Sequence, residues 1–235
     1  MTKKQMYNIK QVIETNRVLI DTLLSNSAKH LDDVAWIKGA MIKESLVLNQ
    51  CQDQDIRYDT CSDFIQNIGD TWNSILQRTN ITSFSVTDVM DIHYNLTKNT
   101  DIVPCQIRTA MVYALSTPIP AQNQEVTRQK INDILYKMCS GKKEILQRAF
   151  DAHYELIILQ PFKDFNKRTA RMLMNWFLVS KGYRPIVFNY TPDNKNYMNA
   201  LHDALNGDKK SYYAYMYHCM ERTQQMFINK LHSSR

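Results

Sequence analysis

The chain has 235 residues, 44% of them apolar, and a formal net charge of +6 at pH 7. This length suits one well-filled domain with a helical extension and excludes two large domains. With only 5 glycines and 6 prolines, the sequence is too poor in turn residues for a β-sandwich or barrel, so we expect a mainly α fold.

The composition also disfavours several classes of function. No apolar run approaches the roughly 20 residues that cross a bilayer, and the N-terminus is too polar for a signal peptide, so we expect a cytoplasmic protein with no membrane partner. Basic residues are spread along the chain and not clustered with aromatic ones, which disfavours a nucleic-acid partner. The 5 cysteines form no CxxC pair, and His93, His202 and His218 share no ligand spacing, so neither zinc nor iron is expected.

Helical periodicity accounts for most of the chain. Apolar residues from Met6 to Leu23 recur at the spacing of one helix face. Ser85 followed by Asp88 forms a capping box, which marks a helix start at Val86. The predicted helices run from Lys4 to Leu24, Asp32 to Asn49, Asp53 to Leu76, Val86 to Thr97, Glu125 to Cys139, Lys143 to Leu159, Asn166 to Lys181, Asn194 to Leu205 and Ser211 to Leu231.

The helical pattern is interrupted between Ile102 and Gln122. This stretch contains three prolines, and the run from Ile107 to Tyr113 alternates in a way that is typical of a strand. We therefore predict a short β-hairpin within residues 107–122, called the hairpin flap below.

The stretch from Leu159 to Arg171 carries the most chemistry in the chain and reads Leu-Gln-Pro-Phe-Lys-Asp-Phe-Asn-Lys-Arg-Thr-Ala-Arg. It opens a helix, and a helix start binds anions because its first N–H groups lack partners and its dipole is positive there. Arg168 and Arg171 lie one turn apart on one face, and Asp164 provides a ligand for the metal that a polyphosphate carries. The sequence thus predicts a polyphosphate site at this helix start.

This stretch resembles the HPFx(D/E)GNGRxxR signature of the Fic (Fido) family, whose members transfer a nucleotide monophosphate, most often AMP from ATP, onto a protein hydroxyl. The resemblance extends from about Asp88 to Met226 and includes a flap before the motif and a helical pair after it. It implies a mainly α, Fic-type helical fold with a small β-hairpin flap, in which an N-terminal helical extension (residues 1–85) packs on a Fic-like domain (residues 86–235). The expected slots of the signature are filled by Pro161, Phe162, Asp164, Asn166, Arg168 and Arg171.

The resemblance also implies a role for each motif residue. Gln160, in the slot of the catalytic histidine, and Asn166 form the catalytic group, and Asp164 holds Mg²⁺. ATP and Mg²⁺ are the implied cofactors, and a target protein docked at the hairpin flap is the implied partner. The residues implied in nucleotide or phosphate binding are Phe165, Asn166, Lys167, Arg168, Arg171 and Tyr197.

Two residues depart most from the signature. Gln160 replaces the histidine that takes the proton from the attacking hydroxyl, a role worth about 10²–10⁴-fold in rate, and a carboxamide has no titrating group near neutrality. Phe165 replaces a glycine, and if φ must be positive there, the bulky side chain costs roughly 1–3 kcal/mol. Phosphate binding is then weakened, or the ring points into the anion space. Lys167 replaces a second glycine, but lysine also occurs there in family members with an NKR motif.

A shorter resemblance lies in the N-terminal part. Many Fic proteins carry an inhibitory helix reading (S/T)xxxE(G/N), whose glutamate pairs with the last arginine of the motif. Ser45 to Gln50 has this outline, with Asn49 in the glutamate slot. A neutral amide cannot form a charge-assisted pair with Arg171, so this brake is released or lost. An ordinary amphipathic helix end explains the match equally well.

Three functions remain open, and with them the question of enzymatic activity. The preferred hypothesis is a degenerate Fic protein, descended from protein adenylyltransferases, that binds nucleotide with little or no transfer. The second is an active, atypical Fic transferase that moves a nucleotidyl or phosphoryl group onto a protein. The third is a non-catalytic interaction module. The first is preferred because the motif lacks its titratable base and retains its metal and phosphate residues.

Overall fold

A computed structural model describes residues 1–25, 39–40, 61–115, 117–188 and 192–233 and confirms a mainly α fold with a small hairpin. Of the predicted helix of residues 32–49, only residues 39–40 are described, and they are helical. The start of the helix predicted from Asp53 and the inhibitory-helix slot at Ser45 and Asn49 lie outside the described residues. The elements are α1 (Lys3–Ser25), α2 (Cys61–Gln77), α3 (Val86–Thr97), β1 (Val112–Ala114), β2 (Thr117–Ile119), α4 (Gln124–Ser140), α5 (Ile145–Leu159), α6 (Asn166–Ser180), α7 (Pro192–Leu205) and α8 (Lys209–Ser233).

The chain forms two compact units. One consists of residues 1–52 and 183–235, and the other of residues 53–182. The predicted boundary between residues 85 and 86 falls inside the second unit, and it stays a prediction. None of the described helices is long and apolar enough to cross a membrane.

In the first unit, α8 packs against both α1 and α7. Only part of the predicted apolar stripe of α1 is buried. Ile9, Ile13 and Ile20 are buried, whereas Val12 and Leu19 are exposed. Burial follows the true helix period, and the apolar stripe read from the sequence was too wide. This helix is fixed from its buried side, since the side-chain amide of Gln224 donates to the carbonyl oxygen of Ile13 at 3.1 Å.

In the second unit, α5 and α6 form the central helix pair. The apolar side chains along this pair are buried: Phe150, Leu156, Ile157, Leu159 and Phe162 on one side, and Met172, Leu173, Trp176 and Phe177 on the other. The apolar period of each helix therefore faces inward, as amphipathic helices on either side of a turn require. This pair holds the loop that joins it, which contains the signature residues.

The helix α3 begins as the sequence predicts. The backbone N–H of Asp88 donates to the Ser85 hydroxyl, and the Asp88 carboxylate accepts from the Ser85 backbone N–H at 2.8 Å, which completes the capping box. Arg78 pairs with the same carboxylate at 2.6 Å, and its guanidinium also lies over the ring of Trp176. The start of α3 is thereby joined to the core of α6.

The hairpin flap is shorter than its predicted range. Its antiparallel strands pair Val112 with Ile119 and Ala114 with Thr117. Ile107, at the start of the alternating run, instead forms an isolated bridge with Phe162. The flap is thus connected by its first residues to the loop between α5 and α6.

Candidate functional site

The motif loop, residues 160–165, joins α5 to α6 by two left-handed residues. Gln160 ends α5 with φ 45°, and Phe165 precedes α6 with φ 61°. Neither residue is glycine, so each costs roughly 1–3 kcal/mol of backbone strain that the surrounding contacts must offset. The condition stated for Phe165 holds, since its φ is positive, and the effect on phosphate binding stays a prediction.

Gln160 lies in the histidine slot with its side chain buried and fixed. Its Nε2 donates to the carbonyl oxygen of Ile157 at 2.7 Å, and its Oε1 accepts from Nδ2 of Asn166 at 2.8 Å. Both ends of the carboxamide are therefore bonded, one to the last turn of α5 and one to the first residue of α6. In this position the side chain acts as a hydrogen-bonding link, and it has no proton-accepting nitrogen.

Asn166, the first residue of α6, closes the motif loop upon itself. Its Oδ1 accepts from the backbone N–H of Phe162 at 2.9 Å, and its Nδ2 donates to the Phe162 carbonyl oxygen at 2.8 Å as well as to Gln160. Two donor hydrogens and one acceptor are thus committed to the loop backbone and to Gln160. The predicted catalytic residue has a clear structural role here.

Arg108 is a site residue that the sequence reasoning missed. Its side chain is buried, its Nε donates to the Gln160 carbonyl oxygen at 2.5 Å, and its Nη1 donates to the carbonyl oxygens of Ala110 and Pro120 at 2.7 and 3.1 Å. Its backbone N–H also donates to the Pro161 carbonyl oxygen at 3.0 Å. Burial lowers the pKa of this guanidinium, although arginine remains protonated in proteins. Arg108 therefore ties the hairpin flap to the motif loop.

His93 of α3 contacts the motif loop at Phe162 and Asp164. Its ring stacks on Phe162 with centroids 3.8 Å apart, its Nδ1 accepts from the backbone N–H of Cys105 at 3.1 Å, and its Nε2 lies 3.3 Å from the Asp164 carbonyl oxygen. These bonds assign a neutral ring with the proton on Nε2. Burial lowers the pKa of His93 to about 4, against a smaller opposing effect of Asp164.

Asp164, the predicted metal ligand, is exposed on the motif loop. Its Oδ1 accepts from the backbone N–H of Phe165 at 2.5 Å, which holds the carboxylate at the start of α6. The described residues contain no cluster of three or more His, Cys, Asp or Glu side chains for a metal. Mg²⁺ commonly takes one or two carboxylates and completes its shell with phosphate oxygens and water, so a single exposed aspartate fits a metal that arrives with ATP.

Phe165 and Arg168 form a contact that the signature does not contain. The ring of Phe165 is buried against Phe64 of α2 and His93, with centroids 6.3 and 6.4 Å apart. The guanidinium carbon of Arg168 lies 3.7 Å from the centroid of the Phe165 ring and 5.1 Å from that of Phe64. Phe165 thus packs against protein on one side and carries the arginine against its ring.

Arg171 differs in environment from Arg168 although they are one turn apart. Arg171 is buried, whereas Arg168 is half-buried. His153 of α5 is fully buried, and its pKa falls to about 3 because of burial and, to a smaller extent, the positive charge of Arg171. His153 is therefore neutral at physiological pH. His153 is thus a histidine packed inside the protein beneath the motif.

The remaining predicted residues divide between the two units. Lys167 lies in the first turn of α6, half-exposed and beside Arg168. Tyr197 belongs to the other unit, where it is buried among Phe188 and Tyr215, with ring centroids 5.2 and 6.2 Å away. The loop and the start of α6 therefore collect Gln160, Asp164, Phe165, Asn166, Lys167 and Arg168, with Arg171 behind them.

The sequence profile of the Fic/DOC family matches residues 83–178, which include α3, the hairpin flap, α4, α5, the motif loop and nearly all of α6. This segment is a Fic domain. The Fic domain contains every residue of the motif loop, together with Arg108 and His93.

Relatives and solved structures support the same assignment. The chain is 30% identical over 152 residues to the protein adenylyltransferase fic-1 of Caenorhabditis elegans, over 64% of this chain and 30% of that protein. It is 27% identical over 149 residues to the protein adenylyltransferase Fic of Nematostella vectensis, over 62% of this chain and 34% of that protein. The chain thus spans about a third of the length of these curated relatives.

The fold is also shared with solved Fic structures. A fragment of Fic-1 from C. elegans matches with a TM-score of 0.76 at 18% identity, covering 94% of this chain and 72% of that one. A Fic domain containing signaling protein from Bacteroides thetaiotaomicron matches with a TM-score of 0.74 at 18% identity, covering 96% and 97% of the two chains. At this identity the likeness establishes the fold.

Proposed function

We propose that this Fic domain is a degenerate member of the protein adenylyltransferase lineage, which binds ATP–Mg²⁺ at the start of α6 and transfers AMP with little or no efficiency. The observation that carries the proposal is Gln160, whose carboxamide is held between the Ile157 carbonyl oxygen and Asn166. A carboxamide fixed in this way cannot take a proton from an attacking hydroxyl near neutral pH.

The two buried histidines near the motif do not replace the lost base. Both nitrogens of His93 are engaged, one with the Cys105 backbone and one with the Asp164 carbonyl oxygen. His153 is enclosed by the protein, and burial favours its neutral form down to a pKa of about 3. A general base must reach the substrate proton within a hydrogen bond or one water, and a fully buried imidazole does not.

Nucleotide binding is supported by the electrostatics at the start of α6. The first turn of this helix contains Lys167 and Arg168 and has no acidic residue. Cations at the positive end of a helix dipole are unfavourable by roughly 0.3–1 kcal/mol each, and an anion bound there offsets that cost. When bound, ATP–Mg²⁺ supplies the AMP group and the pyrophosphate that leaves. Arg168 and Lys167 would hold the phosphates, and Asp164 the metal.

A calorimetric titration with ATP and Mg²⁺ tests the binding half of this proposal. We expect saturable binding to the wild-type chain and a rise in melting temperature by mass action. Arg168→Ala should abolish both, whereas Arg128→Ala, which removes the same charge from an exposed position of α4, should leave them unchanged. Absence of binding at millimolar ATP would contradict the proposal and leave the interaction module as the better hypothesis.

A transfer assay with labelled ATP tests the catalytic half. The wild-type chain should label neither itself nor lysate proteins above background, and Gln160→His should restore measurable labelling because the proton acceptor returns to its slot. The matched control is Gln160→Glu, which restores a titratable group without the imidazole geometry. Strong labelling by the wild-type chain would favour the active, atypical transferase instead.

A further inference from the structure

The position of Arg168 is unusual because the helix dipole works against it. It lies in the first turn of α6, where positive side chains are disfavoured. Its guanidinium is nevertheless placed against two aromatic faces, 3.7 Å from the Phe165 centroid and 5.1 Å from the Phe64 centroid. Phe165 is buried, and its ring is in edge-on contact with that of Phe64, which is half-buried.

We propose that Phe165 and Phe64 form an aromatic cradle that positions the Arg168 guanidinium for phosphate, so that Phe165 acts as a positioning residue in this Fic domain. This inference rests on the proposed function, because it concerns the affinity of the same site. The ligand chemistry is a pyrophosphate or polyphosphate anion. The cradle is a property of this chain, since the glycine of the signature provides no ring.

The geometry explains how the contact assists binding. A guanidinium against an aromatic face keeps its N–H groups at its edge, where phosphate oxygens bind them in pairs. Arginine otherwise loses considerable rotamer freedom when it is fixed by a ligand. Because the rings already restrict the side chain, less of that freedom is lost on binding. Phe165 precedes α6 with a left-handed φ of 61°, and its ring centroid lies 3.7 Å from the guanidinium carbon of Arg168 in the first turn of that helix.

Titration with inorganic pyrophosphate tests the cradle without the adenosine part of ATP. Phe165→Leu keeps an apolar side chain of similar depth but removes the aromatic face, and it should weaken pyrophosphate binding roughly 3- to 10-fold. Phe165→Tyr retains the face and should stay within about twofold of the wild type. Phe64→Leu, at the longer distance, should give a smaller loss in the same direction, and it serves as the second variant if Phe165→Leu does not fold.

A double-mutant cycle separates positioning from simple packing. Arg168→Lys retains the charge but loses the planar group, so Phe165→Leu in that background should change the affinity by less than about twofold. An equal loss in both backgrounds, or tighter binding by Phe165→Leu, would overturn the cradle. If the wild-type chain binds neither pyrophosphate nor ATP, the proposed function itself fails. If it binds both and Phe165→Leu is unchanged, only the cradle fails.

Discussion

The two ends of the motif loop have different chemistry although only a few residues separate them. At the entry, the Gln160 side chain bonds to the Ile157 carbonyl oxygen and to Asn166, and Arg108 donates to the Gln160 carbonyl oxygen. At the exit, Lys167 and Arg168 lie at the positive end of α6 without an acidic residue in that turn. The polar groups of the entry are thus hydrogen-bonded within the protein, whereas the positive charges of the exit suit an anion.

This difference indicates which parts of a site can be lost separately. Gln160 fits the position of the base through hydrogen bonds to the Ile157 carbonyl oxygen and to Asn166. The positive charge of the exit comes from Lys167, Arg168 and the dipole of α6 together, and it does not depend on Gln160. Under the proposed function, catalysis is lost at the entry and anion binding is retained at the exit, and the experiments below perturb the two ends separately.

The largest effect on stability is expected from a core residue of α6, the helix that follows the motif loop. Trp176 is buried, packs on Phe84 with centroids 4.9 Å apart, and donates from Nε1 to the Arg78 carbonyl oxygen at 3.0 Å. Trp176→Ala should lower the free energy of unfolding by roughly 3–5 kcal/mol. Urea denaturation measures this, with the exposed Tyr136→Ala as control. A loss below about 1 kcal/mol would show that α6 is not held by this contact.

Arg108→Met perturbs the entry and the hairpin flap and leaves the charges of the exit in place. It removes three hydrogen bonds and leaves the carbonyl oxygens of Gln160, Ala110 and Pro120 without the donor that they share. We expect a loss of roughly 2–4 kcal/mol in the free energy of unfolding, together with faster proteolysis within the hairpin flap. Arg128→Met is the control at an exposed position. Unchanged proteolysis would mean that the flap is held by its own strands.

The sequence was informative where local rules decide the structure and uninformative where tertiary contacts do. The capping box at Ser85 and the buried faces of α5 and α6 follow from spacing alone, and the motif spacing revealed the Fic resemblance. Arg108 was missed because its partners are backbone carbonyls that only folding brings together. The pairing of Phe165 with Arg168 was missed because a glycine slot gives no hint of a ring.

Acidification should lower the free energy of unfolding through the two buried histidines that pack near the motif loop, His93 and His153. Burial lowers the pKa of His93 to about 4 and of His153 to about 3, below the value of about 6.5 in an unfolded chain. As the pH falls from 6.5, the unfolded chain takes up protons that the folded chain does not, so stability decreases, by up to about 1.4 kcal/mol per pH unit for each histidine.

Urea unfolding at pH 7 and pH 5.5 measures this loss of stability. His153→Gln should reduce the difference between the two pH values, because one buried group no longer titrates. His232→Gln, at an exposed position of α8, should leave the difference unchanged. Equal unfolding free energies of the wild-type chain at both pH values would show that neither histidine is held neutral.

The smallest effect is expected at the exit and involves no metal. Pyrophosphate at about ten times its dissociation constant should stabilise the folded chain by about 1.4 kcal/mol through mass action, which corresponds to a rise of roughly 3–6 °C in melting temperature. Chloride at equal ionic strength controls for screening. Arg168→Met should remove the rise, whereas Gln160→Ala should preserve it, because the Gln160 carboxamide bonds to Ile157 and Asn166 and the proposed anion site is at Lys167 and Arg168. If Gln160→Ala abolishes the rise as completely as Arg168→Met, the two ends act as one unit, and the separation of base and anion site in this Fic domain does not hold.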